Sequence, residues 1–432
     1  MKYKLTQEKL KLICLNLSEE ISKGDSFLCN KDVTIFNSSI IEIKNSDKLL
    51  IASRGWYGSV RSWSGINFVV LSLFTTKLKK IKQSILDIDP TIVKDHNLKF
   101  KEQQNKIIPH GDRILKGPED PRLFYHNDEI YILFNELNKK KERHMFVSKI
   151  DLNSLHYGLK IEICKSLSTS FEKNWGPFVY KKKLHMLYDI NPLTIFELDD
   201  DFKCKKICNI NDIILQKFSK SYPELDFHMR NSSNLIDVGN NEFLGMGHGV
   251  LDYKNNTDIN KFLIPAFDNS KYSKEDKTYF KKFFKLYTGF FYKLNMDTKE
   301  ITEISPFFQL PNYESKQELI FFPTSIYLDK KNFVNISYNV GDNRSYFLRL
   351  HLDVINISLY KKQNIDFQMN HNINQNYYLE LIRSLRKLLG YPVERKEYYR
   401  FGDVDRLYAT KKKRASKNKR KNKRKTKRKI NK

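Results

Sequence analysis

Cysteine is scarce in this chain. Five residues out of 432, Cys14, Cys29, Cys164, Cys204 and Cys208, form an odd and widely spaced set. Such a set argues against a disulfide scaffold and reads as a reducing, cytoplasmic setting. Cys204 and Cys208 have no second pair or nearby histidine to complete a four-ligand metal site, so neither a metal nor another cofactor is expected. No run reaches the roughly 18 apolar residues of a membrane span. The opening MKYKLTQEKLKLICLNL lacks the apolar core, roughly 7–15 residues long, of a secretory signal. Acid is missing altogether from residues 411–432, which hold 15 of the Lys and Arg residues. A block of like charge with almost no apolar residues does not bury enough surface to fold. It reads either as a non-specific nucleic-acid or anionic-surface tail, or as a solvated end with no dedicated partner. The net charge is +27, so the rest of the chain carries +12.

What is present is apolar and aromatic: 40% hydrophobic and 13% aromatic residues, enough for a sizeable core. The clearest order is repetition. NSSIIEIKNSDKLLIASR (37–54) and NSSNLIDVGNNEFLGMGH (231–248) both open with Asn-Ser-Ser. Both pass through a strand, a polar turn and a second strand, and reach a cation at the same spacing, Arg54 or His248. PRLFYHNDEIYILFNE from Pro121, PFVYKKKLHMLYD from Pro177 and PTSIYLDKKNFVNISYNVGD from Pro323 share the outline. Each copy is followed by a further strand-like segment: 67–75, 144–152, 193–199, 289–296 and 345–354. Five meanders predict an all-β fold, a five-bladed β-propeller, because ring closure covers sheet faces that a single meander sheet would expose. A β-sandwich with repetitive strands is the alternative.

The expected division is an N-terminal helical extension over 1–28, the propeller over 29–360, a C-terminal helical appendage over 361–410 and the basic tail over 411–432. Leu10, Ile13, Leu17 and Ile21 share one helical face near the start. The second helix covers 376–390 and stops at Gly390, with Pro392 beyond. The polar, aromatic stretch 251–286 is expected to loop over the mouth of the central pocket.

In a propeller the loops entering the innermost strands meet at one end of the axis. Glu119, Asp120 and Arg122 of KGPEDPRLF occupy such an entry, as do Lys173, Asn174 and Trp175 before Pro177, and Arg230 before Asn231. The far ends of inner hairpins supply Arg54, Asp189, His248, Tyr338 and Asp342. The expected pocket holds a few carboxylates, several cations and a Trp. A carboxylic acid there can protonate a leaving sugar oxygen, cations can hold a phosphoryl group, and Trp175 can stack on a sugar face. The plainer reading of any one of these residues is an ion pair tying blades together.

Four runs carry a family resemblance. GPEDPRLF resembles the Glu-Asp-Pro-Arg signature of the β-mannoside phosphorylases of glycoside hydrolase family 130 and the related β-mannosyltransferases. EKNWGPFVYKKKLHMLYDINP (172–192), RNSSNLIDVGNNEFLGMGHGV (230–250) and ISYNVGD (336–342) resemble further motifs of the same five-bladed family, in the same order. The resemblance spans about residues 32–353. It implies inverting glycosyl transfer on mannose or mannosides, with Asp120 as the catalytic acid acting through a sugar hydroxyl. Arg230 and His248 would be phosphate ligands, Arg122 a substrate or phosphate ligand, and Asp342 a sugar-hydroxyl ligand. Two departures stand out. Asn231-Ser232-Ser233-Asn234 replaces a Gly/Pro-rich stretch, and Asn339 replaces a Gly after Tyr338. The first alters the floor of the phosphate site, so the partner is inorganic phosphate, a sugar phosphate or a nucleotide sugar.

Two functions from different classes are therefore open. One is a phosphorylase or glycosyltransferase, with a hydrolase as a variant needing Glu119 or Asp189 to activate water. The other is a non-catalytic propeller that binds carbohydrate or protein, including an enzyme fold that has lost turnover.

Overall fold

The computed structural model describes residues 3–59, 64–94, 117–165, 172–215, 225–253, 285–310, 320–341, 343–364 and 377–393. Its strands form five antiparallel sheets, each a blade of a β-propeller. Blade 1 runs Val33–Glu42, Lys48–Ser59, Ser64–Thr75 and Lys80–Leu86 from the axis outward. Blade 2 is Glu119–His126, Glu129–Leu137, Arg143–Asp151 and the short outer pair member Ile161–Glu162. Blade 3 is Gly176–Tyr180, Lys183–Ile190, Leu193–Leu198 and Cys204–Ile210. Blade 4 is Leu225–Asn231, Glu242–Tyr253, Lys285–Asn295 and Glu300–Ile304. Blade 5 is Phe321–Leu328, Phe333–Val340, Arg344–His351 and, as its outermost strand, Ile13–Asn16 from the other end of the chain.

The five expected copies are the five inner hairpins. Their turns use residues that tolerate the left-handed conformation, such as Asn127 and Asp128 in blade 2 and Asn240 and Asn241 in blade 4. Between successive blades lie five hydrophobic clusters. Leu50, Val69, Leu123 and Phe134 join blades 1 and 2, and Met145, Trp175, Met186 and Phe196 join blades 2 and 3. Phe178, Ile195, Phe243 and Phe290 join blades 3 and 4, and Met246, Phe291, Ile326 and Ile336 join blades 4 and 5. The ring shuts through Leu15, Ile40, Ile51, Phe68 and Phe347 between blades 5 and 1.

Ring closure leaves each inner strand with an unpaired edge at the axis, and short polar side chains from the neighbouring blade cover it. Ser39 accepts from the Leu123 amide at 2.9 Å, and Ser325 accepts from the Ile40 amide at 2.8 Å. Asn234 bonds both faces of the Ile326 peptide edge, accepting at 3.0 Å and donating at 2.8 Å. The Leu235 amide donates to the Pro177 carbonyl at 3.2 Å. The repeated Asn-Ser-Ser and Pro-Thr-Ser runs are thus the stitches between blades.

The N-terminal segment differs from the expected single helix. Ile13–Asn16 is a strand in register with Tyr346–Arg349, and only Leu17–Ser22 is helical, capped by Asn16. Pairing with an open edge more than 300 residues away outweighs the local 3.6-residue spacing. The C-terminal helix, Tyr377–Leu388, ends before Gly390 at φ +69°. Its Arg386 donates two bonds to the Leu10 carbonyl, 3.1 and 2.8 Å, so the two chain ends are clasped together. Cys164 and Cys204 form a disulfide between blades 2 and 3, with Cα atoms 5.0 Å apart. Cysteine counting did not anticipate it, because the pairing depends on which blades are neighbours. Among the described residues no helix is long and apolar enough to cross a membrane. The basic tail and most of the 251–286 stretch lie outside the described residues.

Candidate functional site

Inner strands begin, and second strands end, at the same end of the axis. Register there places Phe36 opposite Arg54, Glu119 opposite Asn135, Arg230 opposite His248 and Pro323 opposite Tyr338. Asp189 follows a register shift after Leu187, which lies opposite Gly176. Bulges interrupt the inner hairpins of blades 1, 2 and 5 at this level, between Phe36 and Ser39, Glu119 and Arg122, and Pro323 and Ser325. A bulge re-aims the side chain it carries, and these turn polar groups toward the axis.

Asp120 sits on the blade 2 bulge at φ +53°, a conformation that Asp tolerates better than most residues. Gly117 makes the approach possible. At φ +86° it passes so close to blade 1 that a Cβ would fall 2.1 Å from the Asn67 carbonyl oxygen. The Asp120 carboxylate accepts from Asn37 Nδ2 at 2.5 Å and pairs with Arg54 at 3.1 Å. Arg54 donates its Nε to Asn67 at 2.8 Å and pairs with Glu119 at 3.1 Å. Glu119 also takes Arg143 at 2.8 Å and the Asn67 amide at 3.0 Å. Burial alone would raise the Asp120 pKa. Arg54, Arg122, the Asn37 bond and Lys173 outweigh it and hold the carboxyl below the usual range.

Facing this nest is a second set from blades 3 and 4. His248, 2% exposed, has Nδ1 2.6 Å from the Ser232 hydroxyl and is flanked by the Tyr287 and Phe322 rings. Burial, with help from Arg230, Lys173 and Arg122, pushes its pKa down to about 3, so the imidazole is neutral. A neutral imidazole beside a hydroxyl can still donate one hydrogen bond to an anion. Arg230 and Lys173 are exposed and place positive charge on this side. Asp189 accepts from the Ile190 amide at 2.7 Å, and its pKa is raised, chiefly by burial, despite the nearby Arg230 and His228. Asp120 is thus the more readily ionised of the two carboxyls and Asp189 the less.

The structure brings Arg54, Glu119, Asp120, Lys173, Asp189, Arg230 and His248 to one end of the axis. Two sequence expectations, Trp175 and Tyr338, need correction. Trp175 is 1% exposed, stacked on Phe196 with its Nε1 donating to Glu172 at 3.1 Å, so it is a core residue and offers no face to a sugar. Tyr338 is fully buried, with its hydroxyl 3.4 Å from the Cys14 thiol. Arg122 is 2% exposed and its bonds go to backbone carbonyls of Ser232, Pro121 and Asp120. Asn174, at φ +66°, has a buried side-chain oxygen without a hydrogen-bond partner among the described residues. Asp342 lies outside the described residues. Sequence reading missed Asn37, Asn67, Arg143 and Ser232. The repeated Asn-Ser-Ser run pointed at Asn37 and Ser232, but Asn67 and Arg143 carry no motif.

Among the described residues no cluster of three or more His, Cys, Asp or Glu side chains could hold a metal ion. A cleft of about 600 Å³ opens at the opposite ends of the blade 1 and blade 2 hairpins. Its Lys44–Asp128 and Lys149–Glu129 pairs are exposed, and exposed pairs contribute little.

No family model matches the chain. It is 26% identical over 157 residues to Beta-mannosyltransferase 3 of Candida albicans, covering 31% of this chain and 26% of that protein, so the match spans about a quarter of the curated relative. Among solved structures, it is similar to the beta-1,2-mannobiose phosphorylase from Listeria innocua, with a TM-score of 0.45 and 10% identity over 76% of this chain and 94% of that one. A mannose phosphorylase from Leishmania mexicana, in complex with phosphate ion, gives 0.40 and 12% over 75% and 85%. A GDP-Man-dependent mannosyltransferase from the same organism gives 0.40 and 11% over 79% and 89%.

Proposed function

We propose that the protein is a carbohydrate-active enzyme that transfers a glycosyl unit, with mannose or a mannoside as the sugar, by inversion at the axial site. The observation that carries this reading is the facing arrangement of two charge sets. Asp120 is held on one side by Asn37 and Arg54, and Arg230, Lys173 and neutral His248 stand on the other. A sugar ring placed between them would have a carboxyl near its glycosidic oxygen and cations near a phosphorylated leaving or attacking group.

Asp120 has the role of acid, protonating the glycosidic oxygen directly or through a sugar hydroxyl. In the free site its cations favour the carboxylate. A phosphoryl group settling on Lys173 and Arg230 offsets part of that field and raises the proton affinity of Asp120 when the substrate is in place. Acid readiness and phosphoryl binding are then linked. Asp342 and Asn174 are the sugar-hydroxyl ligands in this reading. Inorganic phosphate, a sugar phosphate and a nucleotide sugar all satisfy the cationic side.

A paired donor assay tests the proposal. One arm supplies α-mannose-1-phosphate and the other GDP-mannose, each with a panel of mannose and mannoside acceptors. Phosphate release with a new disaccharide identifies a phosphorylase, and GDP release with product identifies a transferase. Silence in both arms from folded protein that still binds mannosides contradicts the enzyme and selects the non-catalytic carbohydrate-binding propeller.

A further inference from the structure

Arg122, 2% exposed, is the most deeply buried arginine among the described residues, and its charge and that of the Asp120 carboxylate favour each other. Its Nη1 donates to the Pro121 carbonyl at 3.1 Å and to the Asp120 carbonyl at 3.3 Å. Its Nε donates across the axis to the Ser232 carbonyl of blade 4 at 3.1 Å. The guanidinium lies 5.9 Å from the centre of the Phe322 ring of blade 5, and Nη2 has no hydrogen-bond partner among the described residues. Burial lowers its pKa to about 10, which leaves it protonated at neutral pH.

The carbonyls it holds are not arbitrary. Asp120 and Pro121 form the bulge that interrupts the blade 2 ladder, so the cross-strand partners their carbonyls would have had in regular pairing are displaced. Asp120 stands at φ +53°, a conformation that persists only where its surroundings hold it. Ser232 is the residue whose hydroxyl sits 2.6 Å from His248 Nδ1. One planar cation thus holds the backbone under the proposed acid and the backbone under the partner of the proposed phosphoryl ligand. A lysine would keep the charge but would donate from a single nitrogen, without the fixed spacing of Nε and Nη1 that spans the two blades.

We propose that Arg122 is a positioning residue that locks the Asp120 bulge of blade 2 to the Ser232–His248 pair of blade 4, and that it does not contact substrate. This differs from the ligand role that the family resemblance implies. Its kinetic consequence rests on the glycosyl-transfer reading; its structural consequence does not.

The test is Arg122→Lys, read two ways. Amide hydrogen exchange is followed at Leu123, bonded to Ser39, and at Ser232, bonded to the Met246 carbonyl. Both are expected to exchange at least about tenfold faster while amides in blade 3 are unchanged, since local opening follows the contacts that are lost. In turnover, kcat is expected to fall about 100-fold, with KM for the phosphorylated substrate within about threefold, as for misplacement of a catalytic group. Unchanged exchange at both amides in folded protein overturns the proposal. So does a KM raised tenfold or more with kcat retained, which would make Arg122 a ligand. Should the wild-type protein turn over no donor, the exchange measurement decides alone and the glycosyl-transfer reading fails separately. Arg122→Gln, able to keep one carbonyl, serves the same exchange test if the lysine variant does not fold.

Discussion

Asn37 and Asp120 occupy the bulges of neighbouring blades, share the left-handed backbone conformation at φ +48° and +53°, and are joined by a 2.5 Å bond from amide to carboxylate. The pair makes Asn37 part of the proposed acid's apparatus. A hydrogen bond to an ionised group contributes about 1.5–3 kcal/mol and favours the charged form. Asn37→Ala is therefore expected to raise the Asp120 pKa. A higher pKa keeps the acid protonated to higher pH, so the descending limb of the pH–rate profile should move up while the maximal rate falls. The profile of kcat against pH checks both.

His248 gives a prediction about stability. Its folded pKa, about 3, lies below the ordinary value of 6.5. At pH below that ordinary value the unfolded chain binds a proton that the folded site refuses. Stability is therefore complete above pH 6.5 and lost as pH falls toward 3, by at most about 1.4 kcal/mol per pH unit for this group. His126, His185 and His351 are also lowered by burial and act in the same sense. Comparing wild type with His248→Gln isolates the one residue. Denaturant titrations between pH 7 and 4 should show a shallower loss in the variant.

The inter-blade stitches are testable at Ser39. Ser39→Ala leaves the buried Leu123 amide without its acceptor, which costs about 1–3 kcal/mol. Urea unfolding monitored by tryptophan fluorescence should show that loss with little change in slope. An equal loss from substituting an exposed serine elsewhere would remove the special role of the axial edge.

Much of this architecture was legible in the chain, and for a definite reason. The five inner hairpins repeat because each must enter the axis, turn and leave, so their turn residues and polar stitches recur at comparable spacing. The same repetition located Arg54, Asp120, Arg230 and His248. Ile13–Asn16 was not legible as a strand, since four residues cannot establish a period of two against a helical spacing that fits them equally well. Trp175 was misread because an aromatic beside a cation fits a sugar platform and a blade core alike. Its neighbours Phe196 and Tyr188 decide for the core. Glu119 looked available as a base, yet Arg54, Arg143 and Asn67 all converge on its Oε1. Asn67 and Arg143 belong to strands whose sequences are otherwise ordinary.

Arg230 separates binding from chemistry. It is exposed and lies opposite His248 in the blade 4 hairpin, so as the proposed phosphoryl ligand its replacement in Arg230→Ala should weaken phosphorylated ligands about tenfold or more. Affinity for an uncharged mannoside should stay within about twofold, because the loss concerns charge-assisted bonds alone. Calorimetric titration with phosphate or GDP beside a methyl mannoside distinguishes the two. An equal loss for both ligands would place Arg230 in the sugar site.

The most direct test of the central claim is Asp120→Asn, examined for binding and for turnover in the same preparation. Asparagine keeps an oxygen for Asn37 and Arg54 but cannot give up the proton the reaction needs. The account predicts cooperative unfolding, substrate affinity within about threefold of wild type, and turnover reduced by about 10²–10⁴-fold, the range that general acid catalysis contributes. Turnover at the wild-type level in folded Asp120→Asn would contradict it, and the acid would have to be sought elsewhere in the site, with Asp189 the first candidate.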